Sequence, residues 1–280
     1  MAHYLNTFNS LREFDNYLQG ASLSPLFVNN NRKPSSLTEG SAKWYGTDSF
    51  DEANELMRKG DKKNASKLNA TCKINAPSLG LGMQKKGRNE IVGFIPNVGA
   101  YLSGSPLNMI NFRNIPAKKK VITIIYCLSV GSNVKAKEML EASCNLINAI
   151  LGIEATGKRV NLFLISGSAN SYSYSKEGES CLSLLKIKDS GSLFDKSKMA
   201  YPLINPAFFR RHIFKAIESE KGLTDSCFTE TYGKVPDKPF FEKVLKEKRF
   251  EYDAAITFYD IYKRSPESIK ELFLKKQESK

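Results

Sequence analysis

The chain has 280 residues, 41% hydrophobic and 25% charged, which suffices for one large domain or two small ones around a real core. Its 42 Lys and Arg against 29 Asp and Glu give a net charge of +13, a balance that favours anionic partners such as nucleic acid or acidic proteins over cationic ones. No window is long and apolar enough for a membrane helix, and the N-terminus lacks a basic-then-apolar leader, so no signal peptide, spanning segment or membrane partner is expected.

Residues 1–25 carry Phe8, Leu11, Phe14, Tyr17 and Leu18 at helical spacing, and Gly20 ends the pattern. The polar stretch VNNNRKPSSLTEGSAK reads as a loop. WYGTDSFDEANELMRKG follows, where Thr47 or Asp48 can cap a helix with Phe50, Ala53, Leu56 and Met57 on one face and Gly60 as its end. Residues 61–90 are basic and polar, and a short helix followed by an exposed segment is expected. Ile91 to Ile95 reads as a short strand, after which Pro96, Gly99, Gly104 and Pro106 impose turns. Residues 1–117 are thus expected to form a helical, irregular region that wraps a core supplied by residues 118–280.

The run VITIIYCLSV is continuous, apolar and β-branched, as a strand buried on both faces requires. The next segment, KEMLEASCNLINAILGIEATG, sets Met139, Leu140, Cys144, Ile147, Ile150 and Leu151 on one helical face. RVNLFLISGSA is a second buried strand, which makes a βαβ unit. CLSLLKIKD alternates and is expected near a sheet edge. A mostly helical stretch, KMAYPLINPAFFRRHIFKAIESEKG, precedes the amphipathic FFEKVLKEKRF. YDAAITFYDIY is expected as the last buried strand, and SPESIKELFLKKQESK as a closing helix capped by Ser265. The sum is an α/β, three-layer, Rossmann-like, mostly parallel sheet behind the N-terminal region.

In such a sheet ligands bind beyond the carboxyl ends of the strands. That rule selects Cys127, Ser129, Gly131 and Ser132 after the first strand and Ser166 and Ser168 at the end of the second as a polar crevice, with Asp260 near its edge. The simpler alternatives are ordinary strand-to-helix turns, a cysteine packed as a small hydrophobe, and Asp260 as a helix cap. Neither GxGxxG nor GxxxxGK[ST] occurs, so a phosphate cradle is not indicated. A thiolate at Cys127 needs a neighbouring base, and His212 is expected on the surface or at a helix cap. The five cysteines are far apart with no CxxC pair and there are two histidines, so reduced thiols are expected and neither metal nor cofactor is called for. Arg210, Arg211 and Lys215 form a candidate basic patch beside Phe208 and Phe209; the plainer reading keeps the phenylalanines in the core and the arginines in solvent.

The Cys127–Gly131 loop resembles the metal-ion motif of von Willebrand factor A domains, an acidic residue followed by two serines at two-residue spacing. Here Cys127 stands at the acidic position, Ser129 at the first serine and Gly131 at the second. A thiol and one hydroxyl cannot offset the dehydration of a hard cation, so the likeness implies a degenerate site. WYGTDSFDEANELMRKG, IVGFIPNVGAYLSGSPLNMI, VITIIYCLSVGSNV and INPAFFRRHIFKAIESE, in that order, resemble an uncharacterised family of tailed-phage and prophage proteins. That resemblance implies a viral or mobile-element origin, a bacterial host cytoplasm and a βαβ region similar to a degenerate von Willebrand A fold, and it supplies no catalytic residues. The expected function is a non-enzymatic accessory protein that binds a phage or host protein. The alternatives are a nucleic-acid-binding protein in phage transcription, replication or packaging, and an enzyme acting on a nucleotide or phosphoester in the serine-lined crevice.

Overall fold

A computed structural model of the chain describes residues 3–30, 32–71, 83–93, 95–116, 120–131, 134–169, 179–192, 194–224, 228 and 235–275. They belong to two units, Met1–Asn75 with Val121–Lys280, and Ala76–Lys120. The first unit opens with strand β1 (His3–Phe8) and helices α1 (Leu11–Gly20) and α2 (Pro25–Asn29). A 3-10 turn at Ser35–Leu37 leads to α3 (Ala42–Tyr45), α4 (Phe50–Lys59) and α5 (Lys62–Thr71). The second unit holds β2 (Met83–Glu90), β3 (Ile95–Pro96), α6 (Val98–Leu102) and β4 (Met109–Pro116), with sheet order β2-β4-β3. The first unit resumes with β5 (Val121–Cys127), α7 (Ala136–Ala155), β6 (Arg159–Ala169), β7 (Ser180–Lys188) and α8 (Lys196–Ile204). A π-helical turn, Phe208–Ile213, then runs into α9 (Phe214–Ser219), followed by α10 (Lys238–Glu247), β8 (Ala254–Thr257), α11 (Phe258–Ile261) and α12 (Pro266–Lys275).

The five-stranded sheet has the order β1-β7-β6-β5-β8. β5 is parallel to β6 and to β8, β1 is parallel to β7, and only the β6–β7 pair is antiparallel. The α/β class and the mostly parallel, Rossmann-like layout therefore stand as expected. Alternation along the strands divides the core. Ile124 and Tyr126 of β5, with Leu162 and Leu164 of β6, enter the larger cluster with α7, α8, α9 and α12. Ile125, Cys127, Phe163 and Ile165 enter a smaller one beneath Phe240, Phe241, Val244 and Leu245 of α10. Each such side chain, taken out of water, stabilises the fold by about 1.5–3 kcal/mol, which is what holds helical layers on both faces.

Several expectations are corrected. Residues 3–8 are a strand, and the helix starts only at Leu11, where the Ser10 hydroxyl accepts from the Glu13 N–H. The N-terminal region does more than wrap: β1 extends the sheet, pairing His3–Phe8 with Ser180–Leu185. β1 thereby takes the edge, and β7 is interior. Ser49, not Thr47 or Asp48, caps α4. Of the expected strand Ile91–Ile95, Ile91–Gly93 is a bend between β2 and β3, Phe94 lies outside the described residues, and Ile95 enters β3. The last strand stops at Thr257, because Thr257 and Asp260 cap each other's backbone N–H and start α11 there.

Candidate functional site

A cleft of about 1080 Å³ in the first unit opens at the carboxyl ends of β5 and β8. Strand-to-helix turns build it, as the parallel pairing of these strands demands. β5 delivers Cys127 to Gly131, the start of α7 delivers Lys135 and Met139, and the turn after β8 delivers Thr257, Tyr259 and Asp260. Pro202–Pro206, Phe209, Arg210, Phe214 and Ile217 close one wall, and Lys43 and Trp44 of α3 sit at the rim. α3 is held there by Gly46, at φ 83°, where a Cβ would lie 2.5 Å from the Asn205 amide oxygen and 2.9 Å from the Ala207 nitrogen.

The lining is apolar with a cationic excess. Lys43, Lys135, Arg210 and Lys238 face Asp237 and Asp260. Both carboxylates are already engaged: Asp237 accepts from the Phe240 N–H at 2.8 Å, and Asp260 accepts from the Thr257 N–H at 2.8 Å with Lys238 Nζ at 3.8 Å. The Arg210 guanidinium lies 3.5 Å from the Trp44 ring centroid and donates to the Trp44 carbonyl. Among the described residues it has no carboxylate partner.

The residues singled out from sequence divide. Cys127, Ser129, Gly131 and Asp260 do line the cleft. Ser132 lies outside the described residues. Ser166 and Ser168 are buried instead, on the face of β6 that carries Leu162 and Leu164. Ser166 Oγ lies 3.1 Å from Ser129 Oγ, and the Ser129 hydroxyl is also bracketed by the N–H and carbonyl of Gly167, at 3.2 and 3.3 Å. Ser168 is buried with no hydrogen-bond partner for its hydroxyl among the described residues. Cys127 packs in the core under α10, and burial pushes its thiol up to about 12. It is therefore a protonated thiol at neutral pH.

The basic patch does not exist as expected. Arg211 is fully buried: Nε donates to Thr47 Oγ1 at 2.7 Å, Nη1 to the carbonyls of Ser36 (3.1 Å) and Thr38 (2.9 Å), and Nη2 to that of Thr47 (2.7 Å). Lys215 is also buried, and only Arg210 reaches the cleft. His212, expected at the surface, is buried between Tyr201 Oη (2.9 Å) and Asn54 Oδ1 (3.0 Å), and burial pulls its pKa down to about 3. Sequence reading passed over Trp44, Tyr259, Lys135 and Lys238. Trp44 offered one signal, as the only tryptophan in the chain, two residues before the glycine that fixes its turn.

Chemically the cleft can hold a ligand with apolar surface and negative charge. Among the described residues no hydroxyl or thiol of the cleft meets a histidine, and no three His, Cys, Asp or Glu converge as metal ligands. Among the described residues no helix is long and apolar enough to cross a membrane. No curated protein and no solved structure matches this chain. A family model described as Domain of unknown function (DUF7192) matches residues 1–278, and the chain belongs to that family.

Proposed function

We propose that the protein is a non-enzymatic binding protein that takes an acidic, partly apolar segment of a protein partner in the cleft at the ends of β5 and β8. The observation that carries this reading is the cleft's composition: an apolar wall, four cations, and two carboxylates consumed as helix caps. A hydrolytic or transfer reaction would need a base beside Ser129 or Cys127; the first hydroxyl is held by Gly167 and Ser166, and the second group is a buried thiol. On this reading the Cys127–Gly131 turn is a von Willebrand A-like ligand loop whose ion-binding carboxylate has been replaced by a core cysteine. The segments that resemble tailed-phage proteins then make the partner a phage or host protein in the bacterial cytoplasm.

The test is a photo-crosslinking amino acid at exposed Tyr259, introduced into the full chain in infected host cells. A discrete protein adduct, lost on Arg210→Glu, is the expected result; no adduct of any kind overturns the reading. One observation favours a second reading. Trp44 with Arg210 against it is an aromatic platform beside cations, as single-stranded nucleic acid uses. The fluorescence of Trp44, the sole tryptophan, reports on it directly. A spectral change on adding an oligonucleotide, weakening steeply with salt, would select nucleic acid over protein.

A further inference from the structure

From Ile91 to Phe112 the second unit has no Asp, Glu, Lys, Arg or His, in a chain of which a quarter is charged. The strand registers gather this segment at one end. β2 rises to Glu90, opposite Met109, and β3 lies on the other side of β4, with Ile95 opposite Ile110. The turn between them therefore crosses the end of β4. Gly93 makes the crossing, for a Cβ there would lie 2.5 Å from the Ile110 carbonyl oxygen. Beyond it α6 presents Val98, Tyr101 and Leu102 at i, i+3 and i+4. With Ile91, Val92 and Ile95 these side chains are 48–78% exposed.

We propose that this end of the second unit inserts into the surface of an anionic lipid bilayer, without crossing it. Three observations favour lipid over a shaped protein pocket. The exposed side chains come from a turn and a five-residue helix and form no groove of their own, and a fluid medium accepts them without a complementary shape. The polar groups at that end are already paired inside it. Asn97 accepts from the Ala100 N–H and donates to Asn89, Ser103 donates to the Ala100 carbonyl, and the Ser105 hydroxyl accepts from the Leu107 N–H. Their transfer out of water leaves few orphaned donors. The third observation is the placement of charge. Arg88 precedes Ile91 by three residues, or about 10 Å of strand, comparable with the depth of a headgroup layer. Arg88 is exposed, and lipid phosphates supply the anion that such a cation takes. A broken apolar end of this kind enters a bilayer surface without any spanning helix.

The experiment is flotation of the full-length protein with vesicles of phosphatidylcholine alone and with about one-third phosphatidylglycerol. The expected result is binding to the anionic vesicles that weakens with salt. Val98→Asp with Leu102→Asp should lower it by at least about tenfold, and Arg88→Glu should lower it as well. Both substituted positions are exposed, and an unchanged melting temperature shows that the fold survives. Absence of flotation at low salt overturns the proposal. So does flotation that the two aspartates leave intact, since binding then resides elsewhere on the basic chain. Sedimentation velocity supplies the remaining arm. A dimer that the aspartates make monomeric would mean that a second copy covers this end, and the lipid proposal fails. The cleft takes no part in this assay, so failure here leaves the reading of the cleft untouched.

Discussion

Arg210 and Arg211 are neighbours in sequence, and the structure assigns them opposite energetic roles. Arg211→Ala removes a buried guanidinium and strips donors from Thr47 Oγ1 and from the carbonyls of Ser36, Thr38 and Thr47. Hydrogen bonds from a charged donor contribute about 1.5–3 kcal/mol each, so four of them set an upper bound near 6–12 kcal/mol. Relief of the buried charge offsets part of that loss, and the net cost expected is about 3–5 kcal/mol. At about 2–4 °C per kcal/mol for a chain of this size, the melting temperature should fall by roughly 6–20 °C. Arg210→Ala loses one stacking contact with half-exposed Trp44 and one hydrogen bond, about 1 kcal/mol and only a few degrees. Arg211→Lys should be intermediate, because an ammonium keeps the charge and cannot reproduce the planar fork. Circular dichroism melts of the three variants at one pH and salt make the comparison. If Arg211→Ala melts within a degree or two of the parent, or Arg210→Ala is the worse of the pair, the buried network does not carry the energy assigned to it.

Three further outcomes are expected. The pKa of His212 is held near 3 by burial, against 6.5 when exposed, so the unfolded chain takes up a proton that the folded one refuses; stability is full above pH 6.5 and falls as the pH drops below it. By pH 5 the loss should be about 2 kcal/mol in urea unfolding, and His212→Gln should flatten most of that slope. Iodoacetamide at pH 8 should leave Cys127 unmodified in the native protein and label it in urea, as peptide mass mapping would show; rapid native labelling would contradict a thiol raised to about 12. Lys188→Met strands Glu154, whose carboxylate lies 2.6 Å from the buried Lys188 ammonium, and should cost about 3–5 kcal/mol, whereas Lys188→Met with Glu154→Leu should recover much of it in the same unfolding assay.

The parts of the fold that could be read from sequence are those where local pattern and burial coincide. Val121–Cys127 is β-branched and buried along nearly its whole length, and α7 carries an apolar face through its twenty residues. β1 shows why other parts could not be read. HYLNTF lies at an edge, half-exposed, and what makes it a strand is its partner Ser180–Leu185, far along the chain. Tertiary pairing decides such a segment, not propensity. The misplaced end of the last strand is a different failure. Thr257-Phe258-Tyr259-Asp260 is a capping box in plain view, but the apolar, β-branched run ITFYDIY around it carries the pattern of a strand.

At the site, position could be read and identity could not. Parallel strands put a cleft at their carboxyl ends, so topology alone selects Cys127, Ser129 and Gly131, and all three line the cleft. Ser166 and Ser168 obey the two-residue period of β6 instead, and that period turns them inward, beside Leu162 and Leu164. Arg211 is the hardest case. Its neighbours Phe208, Ile213 and Ala216 mark a core face, and a helical wheel sets an arginine among them in solvent. What reverses this is a set of acceptors from residues 36, 38 and 47, brought over the helix by a loop that turns through positive φ at Gly40, Ser41 and Gly46. Backbone carbonyls carry no sequence signature. A buried arginine satisfied by them is therefore invisible until the loop is placed, and the same loop that hides Arg211 is the one that stacks Trp44 on Arg210 at the mouth of the cleft.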